Sequence, residues 1–339
     1  MPIRDIVVVG ASAGGVEALQ RLVRALPKDF PAAVFVVLHL WPRASSALPM
    51  ILSRAGRLPA VHPVDNAPVE PGRIYVAPQD VHMLLEGGRI RLVRGPRENR
   101  HRPAVDPLFR SAALSYGPRV IGVILTGSLD DGTAGLYAIK RAGGVAVVQD
   151  PSDAPYAGMP THAIQNVPVD HIVPLAEIPR LLVQLVGTSV PPDKSQGNGE
   201  EVKREVEYAE GSRDAMNSDD QPGEPAEFAC PECHGALWEI KEGKILRFRC
   251  RVGHAYSAES LSSEMNDTTE NALWVALRAL EELASLHRKL ASRAELQDLP
   301  HVIEHHSADA RLHERSANTI RALLMREVTR PEEPERSAG

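Results

Sequence analysis

A run of β-branched residues, Ile6 to Val9, ends at Gly10-Ala11-Ser12-Ala13-Gly14-Gly15, after which Val16, Leu19, Leu22 and Val23 recur at helical spacing. A buried strand turning directly into an amphipathic helix leaves few options for the chain that follows. Gly10 and Gly14 relieve crowding on either side of the turn, so Ser12 can stand at the strand's carboxyl end with its hydroxyl exposed. This is the G-x-S-x-G nucleophile-elbow pattern. Two other readings remain open, a dinucleotide-binding loop and a plain connection. The dinucleotide fingerprint wants a glycine where Ser12 stands and an acid at the tip of the second strand. The second strand, Ala33 to Leu38, ends instead in His39, an imidazole that a serine nucleophile can use.

The strand-to-helix alternation continues over residues 5–186. Further strands are read at Arg73 to Ala77, Arg89 to Leu92, Val120 to Thr126 and Val145 to Gln149, with helical patterns at 15–25, 45–55, 106–116 and 132–142. The class implied is α/β, a doubly wound, mostly parallel sheet. Gly87-Gly88 suggests an inserted hairpin within Arg73 to Leu92. Active sites of such sheets lie beyond the carboxyl ends of the strands. Ser12 and His39 end two of them. Val120 to Thr126 delivers Ser128-Leu129-Asp130-Asp131-Gly132, where a carboxylate can orient the imidazole and stabilise its protonated form. The duller reading of Asp130 and Asp131 is that one caps the next helix.

Length suggests about two domains. The expected division is a catalytic domain at 1–186, a flexible linker at 187–227, a zinc-ribbon-like module at 228–256, a helical region at 257–330 and a disordered tail at 331–339. Aromatic residues make up 4% of the chain and the net charge is −6, which argues against a nucleic-acid stacking surface or global attraction to anionic membranes. No apolar run is long enough to span a bilayer, and the expected compartment is the cytoplasm.

The only cysteines are Cys230, Cys233 and Cys250. Cys230-Pro231-Glu232-Cys233 and Cys250-Arg251-Val252-Gly253-His254 form two knuckles able to surround one tetrahedral ion, the 16 residues between them forming a hairpin around Gly243. Cys230, Cys233, Cys250 and His254 are thus candidate ligands of a structural zinc, with His234, inside the first turn, as the poorer choice of fourth ligand, the alternative being three free thiols. Arg247, Arg249 and Arg251 raise a nucleic-acid reading for the ribbon, opposed by the acidic linker. A protein partner fits it better. In the helical region Leu273, Leu277, Leu280, Leu283 and Leu290 share a face, and Pro300 marks a break. His301, His305 and His306 lie at helical spacing and read as solvated.

Six motifs in order, Gly10 to Gly15, Val37-Leu38-His39, Tyr75-Val76-Ala77-Pro78, His101-Arg102-Pro103-Ala104-Val105-Asp106, Leu125-Thr126-Gly127 with Asp131-Gly132, and Gln149-Asp150 with Gly158-Met159-Pro160, resemble the catalytic domain of bacterial chemotaxis receptor protein-glutamate methylesterases. The resemblance covers residues 4–186. It implies that Ser12 is the nucleophile, His39 the base and Asp131 the orienting carboxylate, with no cofactor for catalysis. It implies hydrolysis of glutamate γ-methyl esters on the cytoplasmic helices of methylated chemoreceptors, releasing methanol, with deamidation of receptor glutamine as a related activity. Arg102, Asp106 and Ser128 are the expected substrate-binding residues, and backbone N–H groups near His39 and Ser128 the expected oxyanion donors. Family members usually carry Met-Gly where this chain has Ser128-Leu129. Many also begin with a receiver domain. Here the esterase segment opens the chain, so that control is expected either to be absent or to come from another polypeptide, such as a separate response regulator or signalling protein. The competing functions are a serine esterase or amidase for another acyl substrate, and a non-enzymatic regulatory binding protein.

Overall fold

The computed structural model describes residues 2–39, 46–190, 199–213, 215 and 223–326. Seven strands form the central sheet: β1 (Ile6–Ala11), β2 (Ala33–Leu38), β3 (Ala60–Val61), β5 (Ile74–Val76), β8 (Val120–Ile124), β9 (Val145–Gln149) and β10 (His171–Val173). Their order is β10-β9-β8-β1-β2-β5-β3, with every pairing parallel. Both faces are covered, which is why the central strands read as unbroken apolar runs. Val7 and Val9 of β1 point into one core with α1 (Gly15–Arg24), α2 (Leu48–Ala55) and α6 (Ile178–Leu185). Ile6 and Val8 point into the other, with α3 (Val105–Tyr116), α4 (Thr133–Arg141) and α5 (Gly158–Asn166). The expected doubly wound class is the one observed.

Three features differ from the sequence reading. Residues 73–77 supply a strand of the central sheet, and the hairpin pairs β6 (His82–Glu86) with β7 (Arg89–Val93), joined to β4 (Ala67–Pro68). Its turn is Gly87-Gly88, with φ of 55° and 79° as a two-residue hairpin turn requires. Second, the segment expected to be a flexible linker at 187–227 contains a helix, α7 (Gly199–Glu210). Val206, Tyr208 and Ala209 are buried, and so is Glu205. Third, the ribbon belongs to the same compact unit as the sheet, Met1–Ser262; Ser263–Gly339 forms the other.

The ribbon is a four-stranded antiparallel sheet of β11 (Glu224–Ala229), β12 (Ala236–Glu242), β13 (Ile245–Cys250) and β14 (Ala255–Ser257). Cys230, Leu237, Phe248, Cys250, Tyr256 and Leu261 make its small core. The helical unit is built on α8 (Ala258–Glu295), which begins in the first unit, and α9 (Pro300–Arg326). Leu277, Ala284 and Ala291 of α8 are buried, as are Ala310 and Ala317 of α9, whereas Leu283 is 40% exposed. The buried seam therefore keeps Leu277 of the leucine face read from the sequence but continues at a spacing of seven through alanines, leaving Leu283 outside it. The tail at 331–339 lies outside the described residues.

Candidate active site and metal-ligand cluster

In the register of the sheet Ala11 pairs with Leu38, so Ser12 and His39 are the first residues past two neighbouring strand ends. Parallel strands lie about 4.8 Å apart, which brings the two side chains together. Ser12 Oγ is 3.1 Å from His39 Nδ1, and His39 Nε2 is 2.7 Å from Asp131 Oδ2. The ring thus presents Nδ1 to the hydroxyl and Nε2 to the carboxylate. Accepting a proton from Ser12 requires the tautomer with hydrogen on Nε2, which the Asp131 contact favours. Ser12 N–H also donates to Thr126 O at 3.0 Å, tying the serine to the end of β8.

The turn after β1 holds Ser12 without strain. Positive φ falls on Gly14, at 72°, while Ser12 is absent from the positive-φ residues. The glycine spacing of a nucleophile elbow is present, then, but not its strained serine. Gly127 admits the serine from the facing turn. A Cβ there would lie 2.1 Å from Met159 Sδ and 2.9 Å from Ser12 Cβ. Leu129, at the position where glycine is usual in the resembling family, has φ of 61°. The turn keeps the left-handed backbone, at a cost of about 1–2 kcal/mol for a non-glycine residue.

Neither Asp130 nor Asp131 caps α4 with its side chain; Gly132 holds that position. Asp131 instead receives the N–H groups of Val105 (2.7 Å to Oδ2) and Asp106 (3.3 Å to Oδ1), which open α3. Asp106 in turn receives the N–H of Gly135, in the first turn of α4, at 2.7 Å. The two helix starts are thus capped reciprocally, each carboxylate accepting from orphan donors at the other's N-terminus. Burial pushes the Asp131 carboxyl up, but the hydrogen bond and charge of His39, the Val105 N–H and the Asn99 amide outweigh it and hold Asp131 below the usual carboxylate range. For Asp106, burial and then the Asp131 charge prevail, and its carboxyl is pushed up to about 7.

Two residues that the sequence reading left without a role belong to this site. His101 stacks on His39 with ring centroids 3.7 Å apart. Burial and the neighbouring His39 ring lower it to about 3, so it stays neutral beside the His39 ring. Asn99 Nδ2 donates to Asp131 Oδ1 and Asp106 Oδ2, both at 3.0 Å. Its backbone and that of Arg100 are left-handed, φ 48° and 71°, a local signal that sequence alone does not display.

Of the expected substrate-binding residues, Ser128 is exposed beside the serine's turn. Asp106 is 2% exposed and committed to Asn99 and Gly135, so it is a structural acceptor and not a contact for substrate. Arg102 is also committed, donating to Asp80 from Nε (2.9 Å) and Nη2 (2.5 Å) and to Gly95 O from Nη1 (2.6 Å). His39 N–H donates to Ala11 O at 3.3 Å, which engages one of the two expected oxyanion donors.

The four expected ligands of the ribbon converge. Cys233 Sγ is 3.6 Å from Cys250 Sγ, and His254 Nδ1 is 3.7 Å from Cys230 Sγ and 3.6 Å from Cys250 Sγ. A tetrahedral zinc with 2.3 Å sulfur arms has edges of about 3.8 Å, so these side chains fit that ion. His254 Nε2 faces Glu232 at 3.3 Å, the carboxylate support a ligating imidazole uses. His234 is the residue with φ of 59° in the knuckle turn. Arg247 and Arg249, offered above as positive surface, are 3% and 0% exposed. Glu98, Glu205 and Glu242 surround them, which removes two of the three charges a nucleic acid would need. In the helical unit His287 Nδ1 is 3.2 Å from His306 Nδ1, so His306 is not simply solvated as its spacing suggested.

Residues 7–182 match the family model described as CheB methylesterase. Among curated proteins, the chain is 41% identical over 181 residues to protein-glutamate methylesterase/protein-glutamine glutaminase 2 of Anaeromyxobacter dehalogenans, covering 53% of each chain. It is 41% identical over 179 residues to the protein of the same name from Rhizobium johnstonii, covering 52% of this chain and 49% of that one. The chain thus spans about half the length of these relatives. The crystal structure of the Thermotoga maritima CheB methylesterase catalytic domain superposes with a TM-score of 0.52 at 36% identity, covering 54% of this chain and 98% of that one. No helix among the described residues is long and apolar enough to cross a membrane.

Proposed function

Since the chain belongs to the CheB methylesterase family, we propose that it hydrolyses glutamate γ-methyl esters on the cytoplasmic helices of chemoreceptors. The observation that carries this is the unbroken relay from Ser12 through His39 to Asp131, with contacts of 3.1 and 2.7 Å at one edge of the sheet. Ser12 Oγ attacks the ester carbonyl while His39 Nδ1 takes its proton. Asp131 stabilises the imidazolium through Nε2, and neutral His101 keeps the other face of the ring free of a competing charge. Nδ1 then gives its proton to the departing methoxide, which leaves as methanol. Water attacks the glutamyl ester with His39 again as base. The N–H of Ser128 is the assigned oxyanion donor. The same steps acting on a receptor glutamine would release ammonia.

The ribbon is read as a structural zinc module held by Cys230, Cys233, Cys250 and His254. Zinc would link the two knuckles and takes no part in the acyl transfer, because all four positions of a tetrahedral ion are taken by protein. The chain is read as acting in the cytoplasm, with a separate response regulator or signalling protein as partner.

The test is methanol release from methylated receptor fragments. Wild type should release it, and Ser12→Ala should lower the rate by at least about 10⁴-fold with an unchanged thermal melt. Retained turnover in Ser12→Ala removes Ser12 from the mechanism. A wild type that reacts with a fluorophosphonate but ignores methylated receptor acts on another acyl substrate.

A further inference from the structure

The ribbon reaches the active site chiefly through the side-chain amide of Asn99. Loop 97–101 carries Asn99 and His101, and β14 lies along it: Asn99 N–H donates to Ala255 O at 2.8 Å and Ala255 N–H to Arg97 O at 3.2 Å. Beyond this bridge, Asn99 Oδ1 accepts Ser257 N–H at 2.9 Å and Ser260 Oγ–H at 3.0 Å. Both lone-pair positions of the oxygen are then used, and the two hydrogens of Nδ2 are turned toward Asp131 and Asp106. An amide oxygen and nitrogen are nearly the same size, so nothing steric fixes which points where. The ribbon's two donors fix it. Ser257 Oγ also donates to Asp130 Oδ1 at 2.7 Å, gripping the loop that carries Asp131.

We infer that the C-terminal module is a working part of the esterase site, and that Asn99 is a positioning residue for Asp131 whose orientation is set by Ser257 and Ser260. Ser257 and Ser260 lie more than 120 residues beyond Asp131 in sequence, past the region matched by the family. The chain of contacts runs from Ser260 and Ser257 to Asn99, to Asp131, to His39 and to Ser12. Without its amide donor Asp131 becomes more basic and holds the imidazolium proton more tightly, which leaves less neutral His39 to accept a proton from Ser12.

This rests on the serine-hydrolase reading, and phosphonylation of Ser12 in the full chain by a fluorophosphonate tests the two separately, because it needs no receptor. The Ser257→Ala/Ser260→Ala variant should label at least tenfold more slowly at pH 7, with the pH of half-maximal rate moved upward. Asn99→Ala should do the same, and the triple variant should lose less than threefold more than either, since residues acting through one another are not additive. Thermal melts report folding. If the double variant does not fold, Ser260→Ala, which removes the side-chain donor to Asn99 Oδ1 and, like the double variant, leaves the Ser257 backbone N–H in place, carries the same expectations. Rates and pH profile equal to wild type overturn the inference, as do losses that multiply with an unshifted profile. A wild type that does not label overturns the serine-hydrolase reading and this inference with it.

A different observation stands in the helical unit alone. His287 of α8 faces His306 and Asp309 of α9, its Nδ1 being 3.2 Å from His306 Nδ1 and 3.5 Å from Asp309 Oδ2. A tetrahedral ion with imidazole arms of about 2.0–2.1 Å has edges of about 3.3–3.4 Å. The geometry points to a transition-metal site of two imidazoles and one carboxylate between the helices. Cobalt(II), added to full chain whose cysteines are already saturated with zinc, should give d–d bands of a nitrogen and oxygen site. His287→Ala and Asp309→Asn should abolish them. Absence of the bands, or their persistence in both variants, overturns the assignment.

Discussion

Asp106 and Asp131 share one amide donor and similar burial, yet their carboxyls move in opposite directions because only Asp131 also faces an imidazole. Asp106 keeps its proton in the fold up to about pH 7, whereas the unfolded chain releases it near 3.8. The folded state therefore binds more protons across that window, and this residue's contribution to stability falls as pH rises from about 4 to 7. Asp106→Asn removes the dependence. Its melting temperature relative to wild type should rise across that range, and melts at several pH values check it. Gly127→Ala belongs to the same scale: the added methyl displaces Met159 and Ser12, and the rate of Ser12 phosphonylation should fall at least tenfold. Ser12 and His39 were legible in the sequence because each follows an apolar strand, whereas the strand end before Asp130 and Asp131 pointed only to a carboxylate and the family resemblance chose Asp131. Asn99 and His101 were not legible, since their loop reaches the triad only after the β6–β7 insertion folds back over it, and no apolar period marks them.

Helix α7 shows how an element can be visible and still be overlooked. Val202, Val206 and Ala209 carry a helical period, but seven of the twelve residues from Gly199 to Glu210 are charged, and such a stretch reads as linker. A helix of this length is marginal alone. What holds it is the burial of Val206, Tyr208 and Ala209 together with Glu205, which Arg247 and Arg249 of β13 meet at 2.7 Å and keep below the usual carboxylate range despite burial. The partners lie some forty residues further on, beyond any local pattern. Amide protons of residues 205–209 should accordingly exchange with deuterium as slowly as those of β13, and much more slowly than a solvated linker. Exchange at linker rates would detach α7 from the fold. The strands of the central sheet needed no such help, since burial on both faces writes itself into consecutive Val and Ile.

At the scale of the molecule, Glu98 and Arg110 of the catalytic domain, Glu205 of α7 and Arg247 and Arg249 of the ribbon form one buried ionic cluster. Removing one member strands charge in a dry place. Arg249→Met should cost about 3–5 kcal/mol, read as a shift of the first urea transition. Removing the proposed zinc with a chelator should lower that transition too, and slow Ser12 phosphonylation in parallel, because the knuckle that holds His254 continues into Ala255–Ser257. The family match ends at 182, but the ion pairs of Glu98 do not. Truncation of this chain after Val186 would leave Glu98 and Arg110 without Glu205, Arg247 and Arg249 and take away both donors to Asn99 Oδ1, so the half that matches the family should keep neither its full stability nor its full rate when cut free of the rest.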